Sequence, residues 1–154
     1  MRLAEALILR ADVQKRYNQV KARLSANAKV QEGEQPPEKP EELLYELEQL
    51  LMQQGSLIRR INRTNCMVTF DGKRTIADAL ADRDILAQHR NALSELIQTA
   101  SVRQDRFTRT EIRYVSTVDI AALQRQADQL AKEYRELDIR LQELNWSTDL
   151  LEET

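Results

Sequence analysis

Apolar residues recur at alternating three- and four-residue steps over four long stretches of this chain, the spacing that gathers them on one face of an α-helix. In the first stretch, about 3–28, the series is Leu3, Ala6, Val13, Tyr17, Val20 and Leu24. Arg10 and Asn27 are its polar members, and Leu7 and Ala11 widen the face. The second stretch opens at Pro40 and follows a strict heptad: Leu44, Leu47, Leu51, Gln54, Ile58, Ile61, Asn65, Val68. That is the seam of a coiled coil. Pro40 suits the first helical position, where its missing N–H has no partner to lose, and Glu41 and Glu42 face the positive end of the helix dipole. Gly55 weakens this helix by about 1 kcal/mol relative to Ala and marks a kink or a close crossing.

The third stretch runs from Ile76 to about Ala100, opened by Thr75 and Asp78 in the manner of a capping box. Its seam reads Leu86, His89, Leu93, Leu96 and Ala100, with Leu80 and Ile97 beside it. The fourth, which Ser116 with Asp119 can cap, reads Ile120, Leu123, Ala127, Leu130, Tyr134, Leu137, Leu141 and Leu144. It ends near Asn145-Trp146, and the residues beyond it read as a polar tail.

Three stretches break the helical pattern. Residues 31–40 carry the one Pro/Gly cluster and predict an exposed linker. Over 67–76, β-formers flank Asp71-Gly72, the favoured type I′ pair, which predicts a short hairpin. Ile112, Tyr114, Ser116 and Val118 alternate with Arg113, Val115 and Thr117, so a strand within about 108–118 could pair with that hairpin and complete a three-stranded element. The fold class expected is mainly α: one domain over 1–154, an antiparallel bundle of about four long helices with coiled-coil-like seams and a small β element.

Composition narrows the picture. With 154 residues the chain has room for one domain. Lys plus Arg is 23 and Asp plus Glu 25, a net charge of −2 that excludes a uniformly basic nucleic-acid binder. Three glycines and three prolines are too few for a many-stranded β protein. The single cysteine, Cys66, permits no intrachain disulfide. No apolar run approaches the ~20 residues that span a bilayer, and Glu5 and Arg10 interrupt what would be a signal peptide's core. The expectation is a soluble, cytoplasmic protein without a membrane partner.

Candidate chemistry is sparse. His89, the one histidine, shares a helix with Asp78 and Asp82, but no Glu-x-x-His pair marks a di-metal bundle, and a seam histidine is the simpler reading. Cys66 has Arg59, Arg60 and Arg63 near it in sequence, though free cysteines are more often small buried hydrophobes. No catalytic, cofactor or metal site is assigned. The arginines are the unusual feature. Between Gly55 and Arg74, five basic residues (Arg59, Arg60, Arg63, Lys73, Arg74) stand against one acid, Asp71. Arg103, Arg106, Arg109 and Arg113 follow, interleaved with Phe107 and Tyr114. Such a set can hold phosphate or a nucleic-acid backbone. It can equally form salt bridges with the acidic start of the second helix (Glu38, Glu41, Glu42, Glu46, Glu48) in a neighbouring chain, the reading that the slightly negative net charge favours.

Five stretches resemble a small bacterial family of uncharacterised helical proteins whose members are often labelled septicolysin. They are Leu3-Ala4-Glu5-Ala6-Leu7 with Arg10-Ala11-Asp12; Asn27-Ala28-Lys29-Val30-Gln31-Glu32-Gly33; Arg60-Ile61-Asn62-Arg63-Thr64-Asn65; Asp78-Ala79-Leu80-Ala81 with Arg83-Asp84; and Asn145-Trp146. The resemblance implies a mostly helical homo-oligomer, plausibly a hexamer, and its label implies a thiol-dependent cytolysin. A pore former needs a membrane-spanning apolar surface, and the sequence offers none. The strict heptads, and Trp146 with Leu144, Leu150 and Leu151 on a terminal segment that one bundle does not obviously cover, favour self-association independently. The functional expectation is an oligomeric structural or binding module, with an anion- or nucleic-acid-binding oligomer as the alternative and a cytolysin last.

Overall fold

The computed structural model describes residues 1–101 and 112–153. They form four helices, α1 (Leu3–Ala26), α2 (Pro40–Met67), α3 (Ile76–Ala100) and α4 (Ile120–Ser147), and among the described residues no sheet. The chain divides into two compact units, Met1–Ile76 with Gln142–Thr154, and Ala77–Leu141.

In the first unit α1 and α2 pack antiparallel. Gln54 Nε2 donates to Gln14 Oε1 at 2.6 Å, and Arg23 approaches Glu46 at 3.9 Å towards the connecting loop. The α1 seam is the one its periodicity predicts: Leu3, Ala6, Val13, Val20 and Asn27 are buried in one line. On α2 the seam is rotated from the expected heptad. Leu43 and Leu50 are 3% and 7% exposed, whereas Leu44 and Leu51 are 48% and 45% exposed. Leu57, Ile61 and Thr64 complete the buried line. The cause is a repeated doublet. Leu43-Leu44, Leu50-Leu51 and Leu57-Ile58 build two apolar ridges about 100° apart, and only one can face α1.

The 31–40 connection is mostly exposed, with its far end pinned. Buried Asn27 accepts the Glu38 N–H through Oδ1 at 3.0 Å and donates through Nδ2 to the Arg23 carbonyl at 2.8 Å. The Glu38 carboxylate pairs with Arg23. Gly33 takes φ 91°, a left-handed conformation that the absent Cβ permits.

The expected β element is not formed. Over 67–76 there is a single antiparallel bridge, Thr69 to Thr75, with the Phe70 and Asp71 N–H groups both donating to the Arg74 carbonyl. α2 continues to Met67 and α3 begins at Ile76, and the residues between them close as a turn rather than as paired strands. The type I′ turn is absent too, since it requires positive φ at both central residues and neither Asp71 nor Gly72 has it. Asp71 closes the turn instead, its Oδ1 accepting the Lys73 and Arg74 N–H groups at 3.0 and 2.8 Å. Of the strand expected within 108–118, residues 108–111 lie outside the described residues, and 112–118 form no strand.

In the second unit α3 and α4 also run antiparallel. Arg83 Nη1 meets Asp138 Oδ1 at 2.8 Å, and the Arg90 guanidinium lies 5.9 Å from the Tyr134 ring centre. The α4 seam is the predicted one, with Ala127, Leu130 and Leu141 buried. That of α3 is met in part: Leu86, Leu93 and Ala100 are half-buried, as are Leu80 and Ile97 beside them, but so are Arg83 and Arg90, while His89 and Leu96 are exposed. Arginine stems cover apolar surface while their heads stay polar, so a hydrophobicity pattern misses them. The α4 cap is Asp119, whose Oδ1 accepts the Ala122 N–H at 3.0 Å; the Ser116 hydroxyl bonds to the Val118 backbone instead.

Candidate interaction surface

The arginine end of α2 receives the chain's own terminal segment. Past Ser147 the backbone extends, and it is fixed on two sides. Towards α1, the Leu3 N–H donates to the Thr148 carbonyl and the Leu150 N–H to the Met1 carbonyl, both at 2.9 Å. These bonds frame a bridge between Arg2 and Asp149, whose side chains pair at 2.8 Å. Towards α2, the Leu151 N–H donates to Thr64 Oγ1 at 3.0 Å, and that hydroxyl donates to the Arg60 carbonyl at 2.7 Å. Arg60 then grips the segment, with Nε on the Leu151 carbonyl at 3.1 Å and Nη2 on Glu152 at 3.0 Å. Arg59 Nε binds Glu153 at 2.8 Å.

Arg59 beside Glu153 holds that carboxyl below its ordinary range, with Ser56 and Arg60 adding to the effect. The polar tail of the expectation is thus a docked segment. Leu150 is 6% exposed, covered by its own chain without recourse to another. The signal available in the sequence was Thr64, a polar residue at the step where the buried Leu43-Leu50-Leu57 ridge arrives next. A hydroxyl there must find a partner.

The other candidate residues scatter. Arg74 stacks on Phe70, 4.9 Å from the ring centre, and binds Asp71 at 2.9 Å. The Lys73 N–H, and after it the Arg74 guanidinium, hold the Asp71 carboxyl below its ordinary range. Arg63 is half-buried with a partner of its own, and Arg113 is exposed. Arg103, Arg106 and Arg109 lie outside the described residues, so their expected convergence with the 67–76 turn does too. The acidic start of α2, expected to meet these arginines across chains, is partly engaged within its own chain: Glu38 and Glu46 both face Arg23. Cys66 and His89 are exposed. Among the described residues no group of three or more His, Cys, Asp or Glu could hold a metal, and no helix is long and apolar enough to cross a membrane.

A second surface lies along α2. The outer member of each leucine doublet points away from α1, and Tyr45 and Met52 stand exposed on the same helix. Leu44, Leu51 and the half-buried Ile58 form one ridge at heptad spacing.

A family model described as a family of unknown function (DUF6847) matches residues 10–150. The crystal structure of a functionally unknown conserved protein from Corynebacterium diphtheriae is 48% identical in sequence. It aligns over 98% of this chain and 99% of its own, with a TM-score of 0.92. No curated protein matches the chain.

Proposed function

The chain belongs to this family of unknown function, DUF6847, and we propose that it acts without catalysis, as a cytoplasmic bundle-type scaffold or binding module that self-associates into a homo-oligomer. The observation that carries the reading is the outer ridge of α2. Leu44 and Leu51 leave nearly half of their surface in water at a spacing that a second helix can match, with Tyr45 and Met52 alongside. Such a stripe gains most when another copy covers it, and the heptad spacing suits a helix as the cover.

Sedimentation velocity and native mass spectrometry test this. The wild-type chain is expected as an assembly, with six copies the number implied by the septicolysin resemblance. Leu44→Glu with Leu51→Glu is expected to yield single chains of unchanged helicity. A single-chain wild-type particle at micromolar concentration overturns the reading.

The anion-binding alternative stands second because Arg59, Arg60 and Arg74 already hold carboxylates of their own chain, which phosphate would have to displace. Exposed Arg113 supports it. Binding of polyphosphate that falls steeply with salt would restore it, and none at low salt removes it.

A further inference from the structure

The outer face of α2 carries a pattern that packing against α1 does not explain. Leu44, Leu51 and Ile58 line one edge of it, and Tyr45 and Met52 stand on the other. Between the two edges, Glu41, Glu48, Gly55 and Asn62 follow one another at heptad steps. Gly55 is the informative member of that middle row. Its φ is not positive, so no turn requires a glycine there. A β-carbon at this position would meet, among the described residues, only the end of the Arg59 side chain, with Nη1 at 3.3 Å. Packing within the chain therefore does not require it either. Glycine is the poorest helix former after proline, and a bare position in the middle of an open helical face is what the close approach of a second helix needs.

The charges along the same face are divided. Its N-terminal half holds Glu41 and Glu48, both exposed. Its C-terminal half holds Arg59, whose side chain stays 66% exposed although Nε binds Glu153, and whose Nη1 lies beside Gly55. A face that is acidic at one end and basic at the other complements itself when turned end for end, which is the relation a twofold axis imposes.

One antiparallel register satisfies the whole face. With the axis between Leu51 and Met52, Leu51 of each copy meets Met52 of the other, Tyr45 meets Ile58, and Leu44 lies along the stem of Arg59. Glu48 falls opposite Gly55, in the space the missing side chain leaves and within reach of the Arg59 guanidinium beside it. Glu41 falls opposite Asn62, whose amide can donate to it. A parallel pair would instead set Glu41 on Glu41 and Glu48 on Glu48, a costly juxtaposition of like charges.

We infer that two copies pair through α2, antiparallel about a twofold axis at Leu51 and Met52, with Glu48 of each seated over Gly55 and Arg59 of the other. This rests on the self-association reading and deepens it by naming the partner helix, its direction and its register. The occupant is a second copy because both halves of the charge complementarity, and the gap that admits Glu48, are written on this one helix.

Crosslinking in the full-length chain on a Cys66→Ser background tests the direction. Position 44 of one copy faces position 59 of the other, so the two copies of position 44 stand about 22 Å apart at about 1.5 Å per residue, whereas position 51 lies next to the axis. With a short bismaleimide, Leu51→Cys is expected to give dimers in about tenfold higher yield than Leu44→Cys. Gly55→Leu tests the close approach. Filling the gap is expected to weaken assembly about tenfold in sedimentation velocity, while the helicity of the chain holds or rises, since leucine is the better helix former. Equal crosslinking at positions 44 and 51, or a Gly55→Leu chain that assembles as wild type does, overturns the pairing and leaves self-association standing. A single-chain wild-type particle overturns both and leaves the ridge to a helix of another protein.

Discussion

α1 and α2 on one hand, α3 and α4 on the other, use the same heptad arithmetic and reach different interiors. Between α1 and α2 the seam closes on Leu3, Val13, Val20, Leu43, Leu50, Leu57 and Ile61, each nearly or wholly removed from water. Along α3 the equivalent steps carry Arg83 and Arg90, and Leu86, Leu93 and Ile97 remain half-exposed. Apolar spacing alone therefore does not determine how dry a helix pair becomes; that depends on which residues occupy the steps the partner meets. Hydrophobic stabilisation scales with apolar area removed from water, at roughly 25 cal/mol per Å². The first pair should hold most of the molecule's resistance to opening, and hydrogen exchange should be slower in α1 and α2 than in α3.

The sharpest way to break that contrast is to cut one leucine from each seam. Leu57→Ala leaves a hole beside a helix that cannot close over it and is expected to cost about 2–5 kcal/mol in urea unfolding. Leu93→Ala removes a side chain already half in water, and about 1 kcal/mol is expected. Equal losses would mean the two interiors are equivalent after all.

Next in size is the hydroxyl on the α2 seam. Thr64→Val keeps the shape but strips the acceptor from the Leu151 N–H, and an unmet buried donor costs about 1–3 kcal/mol. Thr64→Ser keeps the hydroxyl and should recover most of that loss. The readout that separates this from core damage is local: exchange of the Leu151 amide should accelerate more than that of α1.

Why some of this was legible in the sequence and some not follows from particular residues. On α1 and α4 the longest apolar line is the one that is buried, so the period identified Val13, Val20, Ala127, Leu130 and Leu141 as interior, although Ala11, expected to widen the α1 face, is exposed. α2 offers two lines, and nothing local distinguishes Leu50 from Leu51; the choice belongs to α1. In α3 the seam runs through two arginines, which apolar counting steers away from, towards His89 and Leu96. In the 67–76 turn Asp71-Gly72 suggested a type I′ pair, but the Asp71 carboxylate caps the Lys73 and Arg74 N–H groups and closes a different turn, a choice the dipeptide alone does not reveal. The tail was the largest omission, because its partners sit at Met1–Leu3 and Arg59–Thr64, a distance in sequence that no local pattern crosses.

A smaller effect should come from the polar seam of α3 and α4. Arg83 pairs with Asp138 while its Nε is buried without a hydrogen-bond partner, so the pair is imperfectly satisfied. Arg83→Met alone strands a half-buried carboxylate and should cost about 1 kcal/mol. Adding Asp138→Leu should restore stability to the wild-type level or above it, since replacing an ion pair by packed apolar groups removes both desolvation penalties. A double variant as weak as the sum of the singles would show that the two residues do not act as a pair.

Acid should narrow the gap between the two units, by the least of these amounts. Glu38, Asp71 and Glu153, three carboxyls held below their ordinary range, belong to the unit of α1 and α2. For Glu38 the main cause is its bond to the Arg23 guanidinium, and Arg23 is correspondingly raised by Glu38, far above any working pH. A carboxyl whose folded pKa lies below its unfolded one contributes stability above the ordinary value of 4.5, and loses it as pH falls through the folded value. Glu38→Gln removes this contribution while keeping an oxygen acceptor for Arg23. Wild type should therefore melt higher than the variant at neutral pH, and the two curves should converge as pH falls below the ordinary carboxylate value and through the folded one. Because the pair is exposed, salt should shrink the difference at neutral pH as well. A gap that persists unchanged into acid would assign the effect of Glu38 to the geometry of the Asn27 loop, and the advantage of the first unit would then rest on its apolar seam alone.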